Sequence, residues 1–277
     1  MEAQKGTKPA GARDFAGAVP RIYDELLVPM IFAPYARDLA ARLGARTLSS
    51  VLEMAAGTGV VTRELAARLP ASTAILATDL NQPMLDEAAR IGTQRPVAWQ
   101  RADALQLPFD DQRFDGVVCQ FGVMFFPDRA RAYGQVRRVL QPGGVFTFNT
   151  WDRLEANDFP DVVQQALVEL YRDDPPRFMA RIPHGYFNPE LVRDDLARGG
   201  FSARAEITTL AATSHAASAR LVAEAFCQGT PMRAELEARG PDELARATEA
   251  ATEALVRRFG AGAIQGRLSA LVVEVVA

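Results

Sequence analysis

The segment Glu53-Met-Ala-Ala-Gly57-Thr-Gly59 combines a carboxylate with two glycines, and Asp79 follows Gly59 by twenty positions. Glycines at a strand end let backbone approach a ligand where the next helix begins. An acid at that separation is placed to accept hydrogen bonds from ribose hydroxyls. Together they read as a nucleoside site, and the simpler alternative for Asp79 is a solvated cap on the turn Asp79-Leu-Asn-Gln-Pro83.

Local charge separates two nucleoside classes. A nicotinamide dinucleotide must set its pyrophosphate against the first turn, beside Glu53, and Thr62 stands where G-x-G-x-x-G has its third glycine. S-adenosylmethionine presents an ammonium and a sulfonium there, so a carboxylate becomes an attraction. The residues favour the methyl donor, whose product is S-adenosylhomocysteine. An NAD(P)-dependent oxidoreductase and a non-catalytic nucleoside-binding module stay as alternatives.

A sulfonium makes its methyl group electrophilic, so alignment is the main task and contributes about 7–11 kcal/mol in favourable cases. A hydroxyl or activated-carbon acceptor would gain roughly 10²–10⁴-fold from a positioned base. Of two histidines, His184 in the loop Arg181-Ile-Pro-His-Gly-Tyr-Phe187 is the catalytic candidate, while His215, after Thr213-Ser214, reads as a capping-region residue at a helix start. Tyr23 is expected on a lid over the cofactor. Trp151, Tyr186 and Phe187 are expected as an aromatic wall for the acceptor, and Phe125-Phe126 as packing. No His, Cys or acidic cluster has metal-ligand spacing.

Positioning these residues requires alternating strands and helices. Apolar runs at 50–54, 73–78, 97–101, 116–120 and 145–151 read as strands, with helical periodicity at 60–69, 84–91 and 129–140 between them. That alternation predicts a parallel sheet covered on both faces, an α/β doubly wound core over residues 44–151. Residues 1–43 read as a flexible leader (1–14) followed by short N-terminal lid helices broken by Pro20, Pro29 and Pro34. Residues 152–277 read as the rest of the sheet with a helical insertion on the acceptor side, all in one domain. Helices are expected at 161–171, 189–198, 216–228, 231–238 and 241–259, with strands at 203–210 and 268–276, the last returning to the sheet edge.

Composition narrows the partners. With 31 Lys and Arg against 34 Asp and Glu, the net charge of −3 supplies no field for nucleic acid, and a small-molecule acceptor is expected. No apolar run is long enough to span a bilayer and none reads as a secretory signal, so a cytoplasmic monomer or homodimer with both cysteines reduced is expected.

Five ordered segments carry a family resemblance: Val51-Leu-Glu-Met-Ala-Ala-Gly-Thr-Gly59, Ala77-Thr-Asp-Leu-Asn-Gln-Pro-Met-Leu85, Ala102-Asp-Ala-Leu-Gln-Leu-Pro-Phe109, Phe114-Asp-Gly-Val-Val118 and Arg138-Val-Leu-Gln-Pro-Gly-Gly144. Together they resemble the class I S-adenosylmethionine-dependent methyltransferases, most closely the UbiE-like, methyltransferase type 11 branch acting on small molecules. The resemblance implies a Rossmann-like, doubly wound seven-stranded sheet, six strands parallel and one antiparallel. It assigns Glu53, Ala55, Gly57, Thr58 and Gly59 to the methionine part, Asp79 to the ribose, and Leu80 and Met84 to the adenine faces. Asp103 and the Ala104 amide would read the adenine edge, and Gln120, Phe121 and Gly122 would face the methionyl group. Ala55 departs from the family, which usually has glycine there; alanine fits at negative φ and is strained at positive φ.

Overall fold

The computed structural model describes residues 19–277; the leader expected at 1–14 lies outside them. The N-terminal α1 (Val19–Ile22) runs into a π-helix (Tyr23–Phe32) and then α2 (Ala33–Gly44). Pro29 sits inside the π-helix and cannot donate an N–H to the ladder, and the Ala33 N–H reaches five residues back to the Val28 carbonyl. The wider turn keeps Tyr23, Leu27 and Ile31, four apart, toward one face.

The core alternates as the periodicity predicts: β1 (Ser50–Glu53), α3 (Val60–Arg68), β2 (Ala74–Asp79), α4 (Gln82–Ile91), β3 (Ala98–Arg101), β4 (Phe114–Gln120), α5 (Arg129–Val139) and β5 (Leu140–Trp151). Then follow α6 (Asp158–Leu170), a short α7 (Phe178–Arg181), α8 (Pro189–Arg198), β6 (Glu206–Ala216), α9 (Ala219–Gln228), α10 (Met232–Glu237), α11 (Glu243–Phe259) and β7 (Ile264–Val276). The sheet order is β3-β2-β1-β4-β5-β7-β6. β1 to β5 pair in parallel, and β7 runs antiparallel to both β5 and β6, giving six parallel strands and one antiparallel.

Two expectations are corrected. β7 is not the edge: its backbone pairs with β5 on one side and β6 on the other, Val272 and Val273 pack into the apolar clusters on opposite faces, and β6 takes the edge. His215 is not near a helix start but lies in β6, opposite Gln265. One apolar cluster packs under α2 and α3; the larger fills the other face and extends into the C-terminal helices. Cys119 and Cys227 are free and buried within the larger cluster, and burial pushes both thiols up to about 12.

Candidate active site

β1, β2, β3 and β4 all point their carboxyl ends at one cavity of about 220 Å³, the expected place for a ligand in an open α/β sheet. The turn after β1 is tight. Gly57 has φ +56°, and its N–H donates to Asp79 Oδ2 at 2.9 Å, so the end of β2 clamps the glycine turn. Asp79 Oδ1 accepts from the Asn81 N–H at 2.8 Å. Burial raises the Asp79 carboxyl above the usual carboxylate range, against those backbone bonds.

Leu80, Met84, Asp103, Ala104, Gln120, Phe121 and Gly122 line the cavity with Ala55, Gly57 and Asp79. Tyr23 also lines it from the π-helix. The π-helix is tied down beside it: Asp24 pairs with Arg63 at 3.1 Å, and Arg63 donates to the Thr58 carbonyl at 2.7 Å. Gly122 permits a close approach, since a Cβ there would stand 2.5 Å from Ala55 Cβ and 2.7 Å from Cys119 Sγ. Ala55 itself has φ +52°, the left-handed region, so the condition that would have suited alanine is not met.

Glu53 requires a correction. Its side chain turns away from the cavity, and Oε2 accepts from Thr62 Oγ1 at 2.5 Å on α3. Burial pushes its carboxyl up to about 8, against the Thr62 bond and the Arg63 charge. Thr62, read as a missing glycine, is the partner that holds it. Thr58 and Gly59 are likewise not among the residues that line the cavity.

The residues that remain fit S-adenosylmethionine. Gln120 Oε1 is buried at the cavity with no partner among the described residues, an acceptor suited to an ammonium. Asp79 keeps lone pairs for a ribose diol beyond the bonds it accepts, and Leu80 and Met84 offer apolar surface to a purine. Asp103 binds the Leu105 N–H through Oδ1 at 2.9 Å, leaving Oδ2 for the purine edge.

The far wall was only partly legible. Trp151 and His184 line it as expected, with Trp151 stacked on Phe121 at 3.8 Å between centroids and 7° between planes. Phe121 takes φ +50° to reach that stack, and its N–H donates to Asn149 Oδ1 at 2.8 Å. Two members of the expected aromatic wall are elsewhere. Tyr186 is fully buried behind it, its hydroxyl donating to Asp195 Oδ2 at 3.0 Å under the Arg129 guanidinium, and Phe187 is exposed. Phe125 and Phe126 pack against the larger apolar cluster, as expected, and also line the cavity. Leu27, Ile31, Phe32, Met179, Phe226 and Pro231 complete the wall from the π-helix, α7, α9 and α10. Their apolar periodicity was visible as helix, but not which cavity it faced. Among the described residues no His, Cys, Asp and Glu group could hold a metal ion, and no helix is long and apolar enough to cross a membrane.

The family described as "Methyltransferase domain" matches residues 51–144, the stretch that builds the cofactor side. A demethylmenaquinone methyltransferase of Thermus thermophilus is 33% identical over 178 residues, 57% of this chain and 77% of that protein. The ubiquinone/menaquinone biosynthesis C-methyltransferase UbiE of Idiomarina loihiensis is 36% identical over 105 residues, 36% of this chain and 42% of that one. Phosphoethanolamine N-methyltransferase 2 of Haemonchus contortus, solved with S-adenosyl-L-methionine, superposes with a TM-score of 0.59 at 16% identity, covering 98% of this chain and 60% of that one, a likeness of fold alone. With that relative, that domain match and a cavity suited to the cofactor, this chain belongs to the class I S-adenosylmethionine-dependent methyltransferases, enzymes that move a methyl group from that cofactor to an acceptor.

Proposed function

We propose that the acceptor is a neutral, largely apolar small molecule, methylated in line with the carbon–sulfur bond of S-adenosylmethionine. The observation that carries this reading is charge: among the described residues, the only Asp, Glu, Lys or Arg side chains lining the cavity are Asp79 and Asp103, both on the nucleoside side. A phosphate, carboxylate or ammonium on the acceptor would be desolvated against Phe32, Met124, Phe125, Phe178, Met179 and Phe226 with no counter-charge, at a cost of several kcal/mol. The Thermus thermophilus and Idiomarina loihiensis relatives are named for demethylmenaquinone methylation and ubiquinone/menaquinone biosynthesis, and an apolar acceptor of that kind agrees with this chamber.

In this reading Asp79 holds the ribose and Leu80 and Met84 flank the adenine. Asp103 and the Ala104 amide take its edge, while Gln120 Oε1 and the backbone from Phe121 to Gly122 hold the methionyl end. Ala55 and Gly57 line that end, and Tyr23 and Phe32 on the π-helix shield it from water. The bound cofactor supplies a methyl group on a cationic sulfur, and the protein's share is alignment, worth about 7–11 kcal/mol when the reacting atoms are held in line. The Phe121–Trp151 stack gives the acceptor a flat apolar floor beside the methionyl end.

The test is calorimetry in the presence of S-adenosylhomocysteine with three probes: naphthalene, 2-naphthoate and phosphoethanolamine. Naphthalene binds at least tenfold more tightly than either charged probe. Binding of a charged probe with equal or greater affinity removes the proposal. A chain acting in a cytoplasmic biosynthetic step as a monomer or homodimer agrees with this reading, and light scattering decides the oligomer.

A further inference from the structure

We propose that His184 is the general base of the transfer and that the acceptor carries an ionisable hydroxyl, a phenol or enol, whose oxygen receives the methyl group. This rests on the neutral acceptor chamber proposed above and adds the one polar group the acceptor needs.

The assignment follows from accounting for the polar side chains on the acceptor wall. Asn157 donates one amide N–H to the Arg153 carbonyl (3.2 Å), accepts the Ser269 N–H on Oδ1 (2.9 Å) and has no basic nitrogen. Thr230 donates to the Phe226 carbonyl (2.7 Å) and accepts from the Met232 N–H (3.2 Å). His184 spends only Nδ1, 2.8 Å from the Asp152 carbonyl oxygen. A carbonyl can only accept, so Nδ1 bears the proton and Nε2 keeps its lone pair. Nε2 has no partner among the described residues and is not sealed from the cavity that His184 lines.

The surroundings fix that tautomer and ring orientation. The Asp152 N–H donates to the Ser269 carbonyl at 3.1 Å, and Asp152 Oδ2 accepts from Ser269 Oγ at 2.9 Å, so β7 holds the carbonyl that orients the ring. The His184 N–H donates to the Met179 carbonyl at 3.0 Å. At Gly185 a Cβ would stand 2.2 Å from the Arg181 carbonyl oxygen, which makes this turn specific for glycine. The titratable groups acting on the ring are Asp152 and Glu155 from the segment after β5, and both favour the cation; Asp79 and Tyr23 line the opposite wall. Burial outweighs the two acids and pushes the imidazole down to about 4, so it stands neutral across physiological pH, with the Nε2 lone pair free of a proton.

The step balances. The hydroxyl proton passes to Nε2, the acceptor oxygen forms its bond to the methyl carbon, and the carbon–sulfur bond breaks with its electron pair left on sulfur. The chamber holds one positive charge throughout, first on the sulfonium and then on the imidazolium. A base that burial keeps neutral therefore becomes charged only as the neighbouring cation disappears. The proton passes to water when the products leave.

His184→Asn tests the proposal, because its amide can still donate to the Asp152 carbonyl while offering no basic nitrogen. With S-adenosylhomocysteine bound, wild-type enzyme binds 2-naphthol at least tenfold more tightly than naphthalene. The variant loses that difference and keeps its S-adenosylhomocysteine affinity within about twofold. Equal binding of the two probes by wild type, or a preference kept by the variant, overturns the base assignment. Failure of naphthalene itself to bind overturns the neutral chamber, and this proposal with it. With S-adenosylmethionine, wild type forms 2-methoxynaphthalene, and the variant is slower at pH 7 by about 10²–10⁴-fold. The variant regains about tenfold per pH unit as the naphthol ionises unaided, whereas wild type stays flat. A variant whose loss is the same at every pH, or bound 2-naphthol that yields no ether, overturns the proposal.

Discussion

The two halves of the cavity are built on opposite plans. The nucleoside half is polar and local: strand ends and turns between Met54 and Gly122 supply it, and the Asp79 carboxylate is braced by backbone N–H groups of Gly57 and Asn81. The acceptor half is apolar and assembled from distant segments, Leu27 and Phe32 on the π-helix, Met179 on α7, Phe226 on α9 and Leu268 on β7. A cofactor of fixed structure can be met by a contiguous, position-specific motif. An acceptor is met by whatever the helices outside that motif present, so the same cofactor chemistry can serve different acceptors when only those helices change.

The comparison is broken most severely by a charge placed in the neutral half. Phe126→Asp puts a carboxylate at a half-buried position on the acceptor wall, and it is expected to lower naphthalene affinity at least a hundredfold while S-adenosylhomocysteine affinity stays within about twofold. Equal loss of both ligands in calorimetry would mean that the halves are not separable. Asp79→Asn strikes the other half. The amide turns one acceptor oxygen into a donor facing an N–H, which removes charge-assisted bonds of about 1.5–3 kcal/mol and weakens S-adenosylhomocysteine roughly tenfold to a hundredfold. Naphthalene binding by this variant in saturating S-adenosylhomocysteine is expected to be unchanged, and a parallel fall would refute the division.

The same contrast explains what was legible in the sequence. The alternation of strands and helices, the glycine turn and Asp79 could be read because each signal is local: period, turn chemistry and a fixed spacing. Tyr186 and Phe187 misled because a loop aromatic beside His184 says nothing of direction, and Tyr186 turns inward to Asp195 while Phe187 faces solvent. Phe125 and Phe126 do pack against the core, and their second role, lining the cavity, depends on distant segments such as Phe178 of α7 and has no local signal. β7 was placed at the edge because strand order is a long-range property. Glu53 is the instructive error. Its charge selects the methyl donor only if it faces the cavity, yet the carboxyl accepts from Thr62 and does not line the cavity. The cofactor assignment stands on the relatives and on Gln120 and Asp79, not on that charge.

Glu53 gives a pH test of its corrected role. Its carboxyl lies near 8 in the folded chain against 4.5 for the ordinary group, so the folded state binds the extra proton between those values. A raised value of this kind stabilises fully below about 4.5 and is lost as pH climbs through about 8, so stability attributable to Glu53 falls across that window. Glu53→Gln keeps the acceptor oxygen for Thr62 and cannot ionise. Its melting temperature, compared with wild type by calorimetry at pH 5 and pH 8, is expected to gain a few degrees relative to wild type at the higher pH. An identical slope in both proteins would show that Glu53 is already ionised in the fold.

The smallest effect lies where the two halves meet. Ala55 holds φ +52° on the nucleoside side, and its methyl occupies the space against which Gly122 packs. A left-handed conformation costs a non-glycine residue about 1–2 kcal/mol, and replacing it by glycine returns that strain. Glycine also loosens the unfolded chain, at a cost of about 0.4–1 kcal/mol. The strain is the larger quantity, so Ala55→Gly is expected to stabilise by about 0.5–1 kcal/mol, which for a chain of this size is roughly 1–4 °C in melting temperature. Removing the methyl group also opens the floor under the methionyl end without touching Phe126 or Met179. S-adenosylhomocysteine affinity should therefore shift by a factor of a few while naphthalene affinity does not move. A fall in melting temperature would mean that the Ala55 methyl contributes more through packing than its backbone loses through strain.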